Sequence, residues 1–155
     1  MKTATWTISS LFLILVAACA PKGPPPATVA AISAGTVPTA SFTDQVAAGQ
    51  QLFEEHCANC HGASGEGKKG PRLVGVAQGA LPLEPPAGAK YRKNEFHTAA
   101  DVATFVVKNM PPDAPGSLTE QEYWAILAFD LKANGIDLGT KHLDGTDAAS
   151  VMIHP

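Results

Sequence analysis

The chain is expected to be all-α with three main helices, and three observations lead there. Stretches at about 43–57, 99–109 and 120–133 carry apolar residues at helical spacing and open on side chains that cap helix N-termini. No segment shows the strict alternation of a half-buried strand, and no internal repeat is present. Between 62 and 92 runs a loop rich in Gly, Pro and Lys. A compact domain carries a loop of that length when the loop has a function.

Two segments precede the helices. Met1 and Lys2 open a leader whose apolar run from Ile8 to Ala18 is interrupted only by Ser9 and Ser10. The run is short of the roughly 20 apolar residues that span a bilayer, and residues 1–18 have the shape of a secretory signal peptide. The leader closes as Val16-Ala17-Ala18-Cys19, which resembles a bacterial lipobox and implies lipid on Cys19 as the new N-terminus. Ordinary cleavage after Ala20 is the alternative, because Ala18-Cys19-Ala20 also reads small-x-small. Residues 19–40 then hold Pro21, Pro24, Pro25, Pro26 and Pro38 among small residues, with Lys22 as the single charge. Such a composition buries too little to offset its ordering entropy and reads as a semi-extended spacer. The expectation is an exported protein, lipid-anchored to a bacterial membrane and facing the periplasm or the cell exterior.

The first helix is expected from about Thr43 to Cys57. Ser41 and Asp44 read as its cap, and Val46, Gly49, Gln50, Phe53 and Cys57 share one face. That face leads directly into Cys57-Ala58-Asn59-Cys60-His61, the attachment pattern of a c-type haem. In that chemistry the two thiols add across the haem vinyl groups, and the adjacent imidazole ligates the iron. A thioredoxin-like pair would want a βαβ context, and a structural zinc site would want four ligands. Neither is present, since the remaining cysteine is the distant Cys19. With Cys19 taking lipid and Cys57 and Cys60 taking haem, no thiol is left over. One covalent haem c is therefore expected, with His61 as proximal iron ligand.

The second helix is expected from Ala99 to Asn109, capped by Thr98 with Asp101 and stopped by Pro111-Pro112. The third runs from Glu120 to Ala133, with a Thr119/Glu122 capping box and an Asn134-Gly135 stop. Its core-facing rotation holds Tyr123, Ile126, Leu127, Asp130 and Leu131. For a second axial ligand the chain offers Met110, which the two prolines hold on a short stiff turn. Met1 leaves with the leader and Met152 has no rigid context. His97, at the start of the same helix, is the competing ligand, and a core methionine filling a gap is the plainer reading of Met110. A thioether in the sixth position would close the iron to oxygen and peroxide and suit it to outer-sphere electron transfer.

Fourteen carboxylates face eleven basic residues for a net charge of −3, which argues against non-specific nucleic-acid binding. Two basic groups stand out: Lys68, Lys69 and Arg72 after the haem motif, and Lys90, Arg92 and Lys93 before the second helix. They read either as steering charges for acidic partners or as solvated loop residues.

Taken together, Cys57-Ala58-Asn59-Cys60-His61-Gly62, Gly70-Pro71-Arg72-Leu73, Asn109-Met110-Pro111 and the Gly49/Phe53 pair resemble the class I monohaem cytochromes c of bacteria, over about residues 44–135. The resemblance implies a cytochrome c-like fold for residues 41–135, with three main helices around one covalently attached haem. It implies that the Pro71 carbonyl accepts a hydrogen bond from His61 and that Met110 is the distal ligand. It further implies that Gly49 and Phe53 cross the last helix near Ile126 and Phe129, the latter standing where the family often has tyrosine. Residues 136–155 fall outside it as a C-terminal extension, with a short helix conceivable at Thr146-Asp147-Ala148-Ala149. The function implied is an electron carrier rather than an enzyme, relaying single electrons between respiratory or photosynthetic redox partners. A permanent cytochrome subunit of a membrane complex, such as alternative complex III, is the second reading. A haem enzyme or gas sensor with an open iron site is the third.

Overall fold

Each of the three longer helices begins where a short polar side chain turns back to hold a free backbone N–H. The computed structural model describes residues 41–75, 84, 85 and 87–154. All of these belong to one of the two units into which the chain divides, Ile32–Pro155. The signal peptide, Cys19 and the 19–40 spacer lie outside the described residues. Helix α1 spans Phe42–His56, with the Ser41 hydroxyl accepting from the Asp44 N–H. A single turn, α2, spans Ala58–His61. Helix α3 covers Ala99–Asn109 and α4 covers Glu120–Ala133, each closed by a full capping box, Thr98/Asp101 and Thr119/Glu122. A 3-10 turn at Ala148–Ser150 follows in the tail. The all-α expectation holds among the described residues, where the only ladder pairing is an isolated bridge between Thr98 and Met152.

Helix α1 crosses α4 at Gly49. A Cβ on Gly49 would sit 1.8 Å from the Ala125 carbonyl oxygen, so only glycine allows this approach. One turn further on, the Phe53 and Phe129 rings pack with centroids 5.2 Å apart. Phe53 is fully buried. The crossing therefore carries the Cys57 end of α1 onto the second half of α4.

The remaining core lies between α1, α3, α4 and the tail. Phe42, Phe96, Val102, Leu127 and Leu131 pack there with Leu143, Ala148 and Ile153 of the tail, and those three tail residues have no exposed surface. The C-terminal extension is thus folded onto the helices. Gln45 holds it in place: its amide nitrogen donates to the Leu143 carbonyl at 2.8 Å, and its amide oxygen accepts from the Leu143 N–H at 2.7 Å. Further along, Ile153 N donates to His97 O at 3.0 Å and Ala99 N donates to Val151 O at 2.9 Å. Arg92 is buried, with its guanidinium 3.7 Å over the Phe96 ring. It serves the core by a cation–π contact and is not part of a surface steering group.

Gly49→Val is expected to destabilise the domain by about 3 kcal/mol, because the added branches cannot fit against the Ala125 carbonyl without moving one helix. Urea unfolding followed by helical circular dichroism measures this, and an unchanged midpoint would contradict the tight crossing.

Candidate functional site

The site grows out of the end of α1. Cys57 closes α1, donating its N–H to Phe53 O at 2.8 Å, and starts the α2 turn, accepting at its carbonyl from Cys60 N at 3.0 Å and His61 N at 2.9 Å. One backbone turn therefore spaces two free, half-buried thiols and an imidazole. The chain then reverses. Gly62 takes a φ of 84°, and a Cβ there would meet the Glu66 carboxylate at 2.4 Å. The return strand of the loop fastens to the turn it left, with Gly67 N donating to His61 O at 2.6 Å and Gly70 N to Cys60 O at 2.7 Å. Gly70 presses so near the His61 ring that a Cβ would stand 2.9 Å from Cε1.

The loop ends by delivering the Pro71 carbonyl to His61 Nδ1 at 2.8 Å. A carbonyl only accepts, so Nδ1 carries the hydrogen and Nε2 is the lone-pair nitrogen. His61 is 9% exposed. A buried imidazole with its tautomer set by a backbone oxygen is the arrangement of a metal-ligating histidine. Among the described residues no three His, Cys, Asp or Glu side chains converge to hold one ion. Two thiols a turn apart beside an oriented imidazole fit a group with separated attachment points and a central metal, which is the geometry of a porphyrin.

Met110 sits on a different element. It closes α3 with its N–H on Val106 O at 2.8 Å, and its peptide bond to Pro111 is cis. Its carbonyl accepts from the Tyr123 hydroxyl at 2.8 Å, so α4 holds the Met110 turn directly. His97 has a half-exposed side chain, and its Nε2 lies 2.9 Å from the Glu95 carboxylate. Met152 is 48% exposed.

Two residues to which the sequence reading gave no role at the site also bear on it. Tyr123 was legible only as part of an apolar helix face; its buried ring needed a partner for its hydroxyl, and Met110 O supplies one. Asn134, expected as a helix stop, also ties the loop to α4. Its Nδ2 donates to Leu73 O at 3.0 Å and to Asp130 O at 2.8 Å, and its Oδ1 accepts from Gly75 N at 3.0 Å.

The electrostatics beside the thiols are set by desolvation. Burial, then the nearby Asp130 and Cys60, push the Cys57 thiol up to about 12. Burial alone pushes the Asp130 carboxyl up to about 7, and its Oδ1 is sealed from solvent without a hydrogen-bond partner. An unfolded aspartate releases its proton at about 3.9. Folded Asp130 thus binds a proton that the unfolded chain has lost, and its contribution to stability falls as pH rises from that value to about 7.

Residues 44–129 match the family described as cytochrome c oxidase, cbb3-type, subunit III. The chain is similar to thiosulfate dehydrogenase of Stutzerimonas stutzeri (strain A1501), at 31% identity over 87 residues, covering 54% of this chain and 26% of the relative. It is also similar to the solved sulfane dehydrogenase SoxCD of Paracoccus pantotrophus, with a TM-score of 0.53 and 29% identity over 70% of this chain and 52% of that one. The chain thus spans about a quarter of the curated relative and about half of the solved chain. These matches correct one expectation. The sequence was read as an electron carrier and not an enzyme, yet both relatives are named as dehydrogenases. The physical reason is plain: a haem domain that passes single electrons serves inside a dehydrogenase as well as outside one, so its ligand set does not separate the two.

Tyr123→Phe removes the hydroxyl that holds the Met110 carbonyl. It is expected to cost about 1 kcal/mol in urea unfolding, and a midpoint equal to wild type would show that the hydroxyl does not anchor the turn.

Proposed function

The chain belongs to the cytochrome c family, in its cbb3-type subunit III group, and from that premise we propose that it is the electron-transferring haem c part of a dehydrogenase. Its relatives' names point to reduced inorganic sulfur compounds as the substrate class of that dehydrogenase. The observation that carries this reading is the oriented His61, buried beside two free thiols with Nδ1 on Pro71 O.

Bound haem supplies a one-electron ferric/ferrous couple. Cys57 and Cys60 would hold it through thioether bonds, each thiol adding across one vinyl group. His61 would present Nε2 to the iron, with Pro71 raising the basicity of the ring through the shared hydrogen. Met110 would supply a thioether to the iron from the turn that Tyr123 steadies, and a His/Met ligand pair raises the potential. One haem satisfies this donor set. Lys68, Lys69 and Arg72 are exposed on the same loop, where positive charge favours encounter with acidic redox partners. Lipid on Cys19 would tether the domain to a membrane after export, where a donor and an acceptor, or a larger respiratory complex, are within reach of the spacer.

Three experiments test the reading. Haem staining after denaturing electrophoresis should show covalent haem in the wild type and none in a Cys57→Ala/Cys60→Ala variant, while Met110→Ala should retain haem, lose the ferric iron–thioether charge-transfer band and bind carbon monoxide when reduced. An unaltered Met110→Ala spectrum would remove Met110 from the iron. Cys19→Ala should move the protein from the membrane to the soluble fraction; continued membrane association would remove the lipid anchor at that residue.

A further inference from the structure

Asp130 is a part-buried residue of α4, with one carboxyl oxygen sealed, that the electron relay as described does not use. Helix periodicity places it on the core-facing rotation of α4 with Ile126, in the half of the helix onto which the Gly49 crossing carries Cys57. Its Oδ1 is sealed and unpartnered, and its charge reaches the Cys57 sulfur. A native protein that keeps such a group has a use for it or loses stability for nothing.

We propose that Asp130 is a redox-linked proton site: its carboxyl takes one proton from water when the haem attached at Cys57 gains an electron from a donor protein, and returns that proton when the electron leaves. The inference rests on the haem attachment proposed above. Only an O–H bond forms and breaks, one proton moves per electron, and the electron comes from and goes to the redox partners. The driving force is charge. Ferric iron carries one more positive charge than ferrous, which favours the carboxylate, and enclosure of Oδ1 away from solvent lessens the screening of that interaction. The surroundings leave little else to answer the change. The coupled titratable groups are Cys57 at the end of α1 and, beyond it, Cys60 on α2, and neither titrates as a thioether. Among the described residues no charged side chain of α3, of α4 or of the 62–75 loop shifts Asp130; burial alone does so, and brings the carboxyl to about 7, within reach of either protonation state.

The test is a potentiometric titration of the full-length, haem-loaded protein at a series of pH values on both sides of neutrality, read from the haem absorbance. The wild-type midpoint potential should fall as pH rises through neutrality. Asp130→Asn, of the same shape, should abolish that slope and raise the potential on the alkaline side; Asp130→Leu gives a second variant with the same expectation if the amide disturbs folding. A slope retained in both variants would assign the proton to another group, such as a haem propionate, and overturn the proposal. A flat wild-type profile with full haem content would overturn it alone, whereas absence of covalent haem would overturn the haem reading as well.

Discussion

The close contact of α1 with α4 at Gly49 governs this domain. Without a side chain at that position, the two helices meet backbone to backbone, and everything at the far end of α1 is placed by the crossing. Phe53 on Phe129 fixes the rotation of the pair. Cys57 then falls beside Asp130, and the α2 turn starts from a point that the helix core already determines. A functional loop of low intrinsic order inherits precision from a helix junction that has it.

The loop adds a second level of constraint by fastening to itself and to α4. Backbone bonds return Gly67 and Gly70 to the turn at His61 and Cys60, and Asn134 bonds to both Leu73 and Gly75. The His61–Pro71 bond is the product of this arrangement rather than its cause, since the ring is already confined by Gly70. The Met110 turn is held by different means, a helix terminus and a tyrosine hydroxyl on α4. The loop after His61 and the Met110 turn therefore both refer to one helix, and a displacement of α4 would change both at once.

Much of this was legible in the sequence because the signals are local. Thr98/Asp101 and Thr119/Glu122 mark helix starts within one turn, and the observed bounds of α3 and α4 agree with the reading. The Cys57–His61 pattern is equally local. What was missed depends on contacts across the chain. Gln45 looks like a surface residue until Leu143 meets it, Arg92 looks like a loop charge until Phe96 lies beneath it, and Tyr123 hides a polar contact inside an apolar face. The tail at 136–155 carried no family pattern, yet Leu143 and Ile153 fill the core. The exclusion of an enzyme went beyond what residues can show, because the same relay serves carriers and dehydrogenases.

The Gln45–Leu143 pair joins residues 98 positions apart, near the two ends of the described chain. Such a long-range closure makes completion of the fold a late event, one that waits for the segment around Leu143. Until then α1 lacks one side of its packing, and the Cys57–His61 turn belongs to an unsealed chain. A domain that receives a large planar group gains from that order: the tail is the last piece fitted against α1.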